Sequence, residues 1–372
     1  MIRPIDAGSL VQSKGISACP KVVVVILNWN AWPHTIECAE SVMRSGRPPQ
    51  QIVICDNGSS DGSLDRLTEW ADGLLEIEAG GSREPLRWKY RPAQKPIPYN
   101  FLTASELSRE IAPAPETSLV FISIASNFGY AGGNNVGIQY ALDRAEADFV
   151  WVLNNDAVVD RQALAELVNA ASTDPSIGIV GCEVLAYKAP DRIQARGGGA
   201  FVPSWGYDSQ LGRGQRFETS KIVPVYLDHL IGVSLLVRAQ AIRDVGLMDE
   251  RYFIYREDTD WCIRMRLKQW RLIACTSAVV WHKEGTSLGF KSPAHDYYSV
   301  RNQLWLLKKF YPSSLPSAFI LFALRSIVPK IARLQFRRLL HVILAYRDFL
   351  RGIQGRAHDD EALMAARKAQ LK

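Results

Sequence analysis

The residues best suited to chemistry stand together at Asn154-Asn155-Asp156, directly after the apolar run Phe149 to Leu153. Polar side chains at the end of a buried strand cannot run on into a core unpaired. They belong at the carboxyl edge of a sheet, where open α/β folds bind ligands. A carboxylate with amide oxygens beside it offers hard donors to Mg²⁺ or Mn²⁺ and leaves room for a diphosphate. A plainer reading also fits: a strand-to-helix turn, with Asp156 or Asp160 capping a helix that starts near Arg161. His282 ends another apolar run, Leu272 to His282, so it should reach the same edge. Such a histidine is a structural residue or, joined to Asp156, completes a metal site.

Three more clusters could carry chemistry. Glu257-Asp258-Thr259-Asp260 crowds three carboxylates, which repel, so one can hold a raised pKa and act as a general base. In a helix Glu257 and Asp260 share a face, with Arg264 one turn beyond Asp260. The alternative use is helix-start acids and a surface ion pair. Asn127 to Asn135 sets Gly129, Gly132, Gly133, Asn134 and Asn135 at a strand-to-helix junction. Glycines let backbone approach a ligand, and a helix amino end attracts phosphate. A plain glycine turn would use the same residues. The spacing excludes both the dinucleotide fingerprint and the P-loop. Asp56-Asn57-Gly58-Ser59-Ser60-Asp61-Gly62 offers a carboxylate to a pyrimidine N–H or to ribose hydroxyls, or caps a helix.

The elements that position these groups alternate. Val22 to Leu27 reads as a central parallel strand and residues 33–45 as a helix with an inward face of Ile36, Ala39, Val42 and Met43. A strand at Ile52 to Cys55 and a helix at Leu64 to Trp70 follow. Leu119 to Ile124, residues 135–146, Asp148 to Leu153, Arg161 to Ala171 and Ile177 to Val180 continue strand and helix in turn. This is the signature of a doubly wound, mostly parallel α/β sheet with helices on both faces. Residues 79–118 break the rhythm with many prolines and read as an irregular insertion, with a short helix at Ser105 to Ile111. Residues 190–220 read as a loop and Leu230 to Arg238 as a strand. From Tyr297 onward the pattern is helical and basic.

The chain has 372 residues, ample for a sizeable core and one or two domains. A formal net charge of +6 names no nucleic-acid partner. Six cysteines show no CxxC pair and no zinc spacing, which leaves them as small buried thiols. Residues 1–19 form a polar arm without an apolar signal segment, which points to the cytoplasm.

Taken in order, these pieces resemble the family 2 glycosyltransferases, in particular the rhamnosyltransferase- and galactofuranosyltransferase-like subgroup. The matches are VVVVILNWN (22–30), DNGSSDGS (56–63), NFGYAGGNN (127–135), LNNDAVVD (153–160), MDERYFIYREDTDWCIR (248–264), VWHKEGTS (280–287) and YYSVRN (297–302). The resemblance implies a GT-A domain over 20–302 and inversion at the anomeric carbon. It implies that Asn28, Asp56 and Asn57 hold the nucleoside and that Asn127, Gly129, Gly132, Gly133 and Asn134 approach ribose and diphosphate. The family's metal-binding DxD falls on Asn154, Asn155 and Asp156, with its first acid replaced by an amide. That leaves Asp156 and His282 to hold Mg²⁺ or Mn²⁺. Asp258 maps to the catalytic base, with Glu257 helping to orient acceptor or base. Asp249, Asp260, Tyr298 and Arg301 are the acceptor-side candidates. The donor would be a nucleotide diphosphate-sugar, with rhamnose favoured on resemblance alone, and the acceptor a glycan or polyprenyl-linked glycolipid. A processive synthase is disfavoured because Gln269-Trp270-Arg271 does not fit QxxRW. The alternatives are a catalytically silent sugar-nucleotide-binding scaffold, given Asn154, and a nucleotidyltransferase, for which residues 28–33 lack a basic glycine-rich loop.

Residues 303–372 form a helical basic extension. Its uninterrupted apolar runs are far below the roughly 20 residues that span a bilayer. Two readings compete: interfacial helices on an anionic inner leaflet, or a helical subdomain that packs on the core or forms a homodimer.

Overall fold

The computed structural model describes residues 19–75, 93–107, 117–218, 227–284 and 292–357. Residues 1–18 of the expected arm, and 358–372 of the extension, lie outside these. So do Gly285 to Ser287 and the second half of the expected helix at Ser105 to Ile111.

The chain opens with strand β1 (Val22–Asn28), helix α1 (Trp32–Met43), β2 (Gln51–Asn57) and α2 (Ser63–Asp72). Next come β3 (Tyr99–Thr103), α3 (Ala104–Leu107), β4 (Leu119–Ile124), α4 (Gly129–Asp143) and β5 (Phe149–Asn154). After them lie β6 (Ala157–Val159), α5 (Ala163–Ser172), β7 (Ile177–Ala186), β8 (Ala189–Arg196), β9 (Gly198–Val202) and β10 (Tyr207–Gln210). The second half holds β11 (His229–Leu230), β12 (Ser234–Arg238), α6 (Ala239–Val245), α7 (Glu257–Leu267) and β13 (Arg271–His282). Three helices close the described chain: α8 (Pro293–Phe310), α9 (Leu315–Ala332) and α10 (Phe336–Leu350).

The main sheet runs β3-β4-β2-β1-β5-β12-β7-β13-β6, with β8 on β7. Strands β1 to β5 are parallel, β12 opposes both β5 and β7, and β13 is again parallel to β7. β1 is continuously apolar because it has a core on each side. Val22, Val24 and Ile26 enter the core under α1, α2 and α5, while Val23 and Val25 enter the one under α4, α6 and α7. Five of the six cysteines are buried, as the sequence implied.

Four expectations need correction. Residues 190–210, within the expected loop of 190–220, are largely strand: β8, β9 and β10 lie there, and β10-β9-β11 form a small second sheet. Their glycines hid them. A Cβ on Gly199 would sit 1.6 Å from the Ser209 carbonyl oxygen, so close strand contact demands glycine there. The insertion is not wholly irregular, since β3 pairs in parallel with β4 at the sheet edge. The helix expected over 135–146 starts earlier, because α4 begins at Gly129 and ends at Asp143. The strand expected over Leu230 to Arg238 breaks into β11 and β12 around Gly232.

The segment Pro312–Ala332 is long and apolar enough to cross a membrane by length and composition, with mean hydropathy 1.5. Counting uninterrupted runs missed this, because Ser317, Arg325 and Ser326 break the run but not the average.

Candidate active site

One cleft of about 460 Å³ opens over the carboxyl ends of the central strands. Asn57, Asn127, Asn154, Asn155, Asp156, Glu257, Asp258 and His282 all line it. Parallel strands end there, so their polar tails converge where a ligand can reach them.

Asp156 and His282 meet. β6 runs antiparallel to β13 and pairs Ala157 with His282, which brings the His282 Nε2 to 3.1 Å from Asp156 Oδ1. The other ring nitrogen, Nδ1, lies 3.1 Å from Gln194 Oε1 on β8 and fixes the ring's orientation. Burial works to lower the His282 pKa, but the Asp156 carboxylate outweighs it and leaves it raised. Among the described residues no three His, Cys, Asp or Glu side chains gather to hold a metal. A hard carboxylate and an imidazole suit Mg²⁺ or Mn²⁺, and a diphosphate would have to supply further ligands.

Asp258 is held from two sides. Its Oδ2 accepts the Gly232 amide at 2.9 Å, and its Oδ1 accepts the Thr259 amide at 2.6 Å and the Thr259 hydroxyl at 3.2 Å. Oδ2, which accepts only the Gly232 amide among these contacts, keeps a second lone pair. Glu257 is buried with one oxygen, Oε2, unbonded among the described residues. Burial first, and the neighbouring Asp258 second, raise its pKa well above the ordinary range. Beside them Arg256 pairs with Asp208 at 2.8 Å, which outweighs burial and draws the Asp208 carboxyl down to about 2.

The backbone that presents α7 is unusual. Phe253, Tyr255 and Arg256 have φ of 64°, 67° and 79°, in the left-handed region that costs a non-glycine residue energy. Asn302 on α8 holds this turn through its Nδ2, which reaches the carbonyls of Tyr252 and Ile254 at 2.7 Å and of Tyr255 at 3.0 Å.

A family model described as "Glycosyltransferase like family 2" matches residues 103–293, just over half of the chain and including most of the residues that line this cleft. The chain belongs to the family-2-like glycosyltransferases. A relative of this glycosyltransferase, the low-salt glycan biosynthesis hexosyltransferase Agl10 of Haloferax volcanii, is 25% identical over 206 residues. That match covers 52% of this chain and 62% of the relative, so the chain spans less than two thirds of that protein. The N-acetylglucosaminyl-diphospho-decaprenol L-rhamnosyltransferase of Mycobacterium tuberculosis is 25% identical over 283 residues, 73% of this chain and 79% of the relative. Among solved structures, a mannosyltransferase from Pyrobaculum calidifontis, in complex with GDP-Man and Mn²⁺, aligns at TM-score 0.50 with 13% identity. It covers 91% of this chain and 89% of that one. The fold is GT-A, as expected.

Several residues expected at the glycosyltransferase site do not line the cleft. Asn28 and Asp56 are buried, joined at 2.7 Å, and belong to a hydrogen-bonded row. That row runs from Asn155 through Thr35 and Asn28 to Asp56 and Ser59, binding the ends of β5, β1 and β2 together. Gly132, Gly133 and Asn134 face inward. A Cβ on Gly133 would meet Leu27 Cδ1 at 2.4 Å, so this glycine seats α4 on β1 rather than opening the backbone to a ligand. Asn134 bonds the Tyr130 carbonyl. Asp260 is fully buried between Arg264 at 2.6 Å and Lys309 at 2.5 Å. Asp249 pairs with Arg251 and Lys309 on a separate surface pocket. Tyr298 stacks on Phe253, and Arg301 lies over the Tyr297 and Tyr298 rings. Sequence spacing could not say which of these side chains reach the cleft.

Three cleft residues escaped the sequence reading. Tyr130 places its hydroxyl 2.9 Å from Asn154 Oδ1 and 2.7 Å from the Gly232 carbonyl, so the amide that replaces the first acid of the motif has a partner. Gly232 joins that contact to Asp258. His229 is 2% exposed, lines the cleft, and neither ring nitrogen has a hydrogen-bond partner among the described residues. Burial first lowers its pKa, against the pull of Asp258 and Asp208.

Proposed function

We infer that this glycosyltransferase inverts the anomeric carbon of a nucleotide diphosphate-sugar and places the sugar on a hydroxyl of a glycan or polyprenyl-linked glycolipid. The observation that carries this reading is a single cleft lined both by the anchored Asp258 and by the Asp156–His282 pair. Asp156 and His282 would hold Mg²⁺ or Mn²⁺ together with the donor diphosphate. A cation bound there supplies charge stabilisation to the leaving diphosphate. Asn57, Asn127 and the amino end of α4 suit the nucleotide, with Asn154 and Asn155 beside it. Asp258 accepts the proton of the acceptor hydroxyl while that oxygen bonds the anomeric carbon. The bond from this carbon to the diphosphate oxygen breaks on the opposite side, and the diphosphate leaves with the electron pair. Glu257, whose carboxyl burial holds well above the ordinary range, bonds a sugar hydroxyl, and His229 bonds another. The Mycobacterium relative is named for rhamnose and a diphospho-decaprenol acceptor. We carry both over as the favoured donor sugar and acceptor type.

The test is donor binding and hydrolysis across a panel of sugar nucleotides with Mg²⁺ or Mn²⁺, for the wild type and Asp258→Asn. One donor should bind with metal, and its turnover should fall about 10²- to 10⁴-fold in the variant while binding survives. If no donor binds, with or without metal, the chain is a silent scaffold and this reading is overturned.

A further inference from the structure

α9 and α10 turn a continuous apolar stripe to the outside. On α9 it consists of Ile320, Leu324, Val328 and Ile331, three or four residues apart and therefore on one helix face. Leu334 in the turn carries it on to Phe336, Leu340 and Ile343 of α10. These side chains are 50% to 71% exposed. The opposite faces are occupied. Phe319 meets Tyr346 edge-on at 4.9 Å, and Phe322, Ala323 and Ile327 pack into the cluster around Tyr298 and Leu304. Contiguous apolar surface of this kind marks an interaction site.

Charge identifies what covers it. From Tyr297 to Arg347 the sequence contains no Asp or Glu. Lys330 and Arg338 turn inward to Asp296, at 3.2 and 2.6 Å. Arg325, Arg333 and Arg337 remain exposed on the same two helices and their turn. An apolar stripe with exposed cations and no acid matches an anionic lipid leaflet. A second copy of the chain would set these cations against their own kind.

The geometry also favours lying on the bilayer over crossing it. Ser317 Oγ donates to the Ser204 carbonyl at 3.2 Å, and the Arg325 guanidinium lies over the Tyr207 ring at 3.9 Å. Ala318 is buried beside Phe201. A helix tied to the catalytic domain at Ser317, Ala318 and Arg325, with that arginine near its middle, is better suited to the surface than to a span.

We propose that the outer face of α9 and α10 docks on an anionic membrane leaflet and holds one wall of the cleft beside the lipid. Tyr207, under Arg325, is followed by Asp208, which lines the cleft and pairs with Arg256 next to Glu257-Asp258. Only this second part, the placing of the cleft for a lipid-linked acceptor, rests on the transfer reading given above.

The test is cosedimentation of the full chain with phosphatidylcholine vesicles, with and without phosphatidylglycerol, in the absence of donor and acceptor. Binding to the anionic vesicles at physiological salt, weak binding to neutral ones, and release at high salt are expected. Arg333→Gln combined with Arg337→Gln should weaken binding about 25-fold, at roughly fivefold per basic side chain near an anionic surface. Leu324→Ser with Val328→Ser should abolish it while the circular dichroism and the unfolding midpoint stay unchanged. Equal binding to neutral vesicles, retention through a carbonate wash, unaltered binding by both variants, or a stable dimer in lipid-free solution would each overturn the proposal. Because no sugar is transferred in this assay, its failure leaves the transfer reading intact, and the reverse also holds.

Discussion

Gly232 holds the Asp258 carboxylate through its amide, and the sequence shows it only as a glycine within an apolar run. A Cβ added there would lie 3.0 Å from Asp258 Oδ2 and 3.3 Å from its Cβ, so the carboxylate would have to move by a few tenths of an ångström. Gly232→Ala should therefore lower kcat roughly 10- to 100-fold with donor affinity unchanged, as read by steady-state kinetics and calorimetry. Glu257 gives a prediction in pH. Its folded pKa is raised, so its favourable contribution is complete below the ordinary carboxyl range and is lost as pH rises through the folded value. Glu257→Gln should raise Tm by roughly 2 °C at pH 8 and leave it unchanged at pH 4. A uniform shift at both pH values would count against the buried charge. That Asp156, His282 and Asp258 share one cleft was legible because each stands at a strand end or helix start, where local pattern suffices. Tyr130, Gly232 and His229 act through pairings across β5, β12 and α7, which no local window contains.

Among the elements, the turn before α7 shows how position is bought with strain. Three left-handed side chains cost of order 1 kcal/mol each, and Asn302 offsets part of this by holding the carbonyls of that turn. Asn302→Ala should lower stability by roughly 3 kcal/mol in urea unfolding. Turnover should fall further than the folded fraction does, since Glu257 and Asp258 begin the helix that follows. Equal losses in both would make Asn302 a plain core residue. The opening β1, α1, β2 and α2 were legible from their periodicity and polar ends. β8 to β10 were not, because short edge strands with glycines at close contacts carry no strong alternation. The glycines of α4 are ambiguous for a related reason, since helix packing and ligand approach ask for the same residue.

At the scale of the whole molecule, the sheet has its two cores and α8 to α10 add a third cluster. That cluster holds Phe253, Tyr298, Leu304, Val342 and Phe349. Phe253 belongs to the turn before α7, so the extension is part of the site's support rather than an appendage. A chain ended after Phe310 should be recovered mainly as aggregate, because it exposes this cluster and frees the turn; solubility and light scattering read the outcome. The helical extension was visible in the sequence, but its union with the catalytic turn depends on tertiary contacts between residues about 50 apart in sequence, such as Asn302 and Tyr252. This union bears on how such chains can be recombined. A chimaera that exchanges the C-terminal helices with those of a relative, yet keeps the host's residues 252–256, would pair a strained turn with a foreign clamp. The portable unit therefore begins at Tyr252, well inside the catalytic domain, and a cut made at the apparent boundary near residue 302 would divide it.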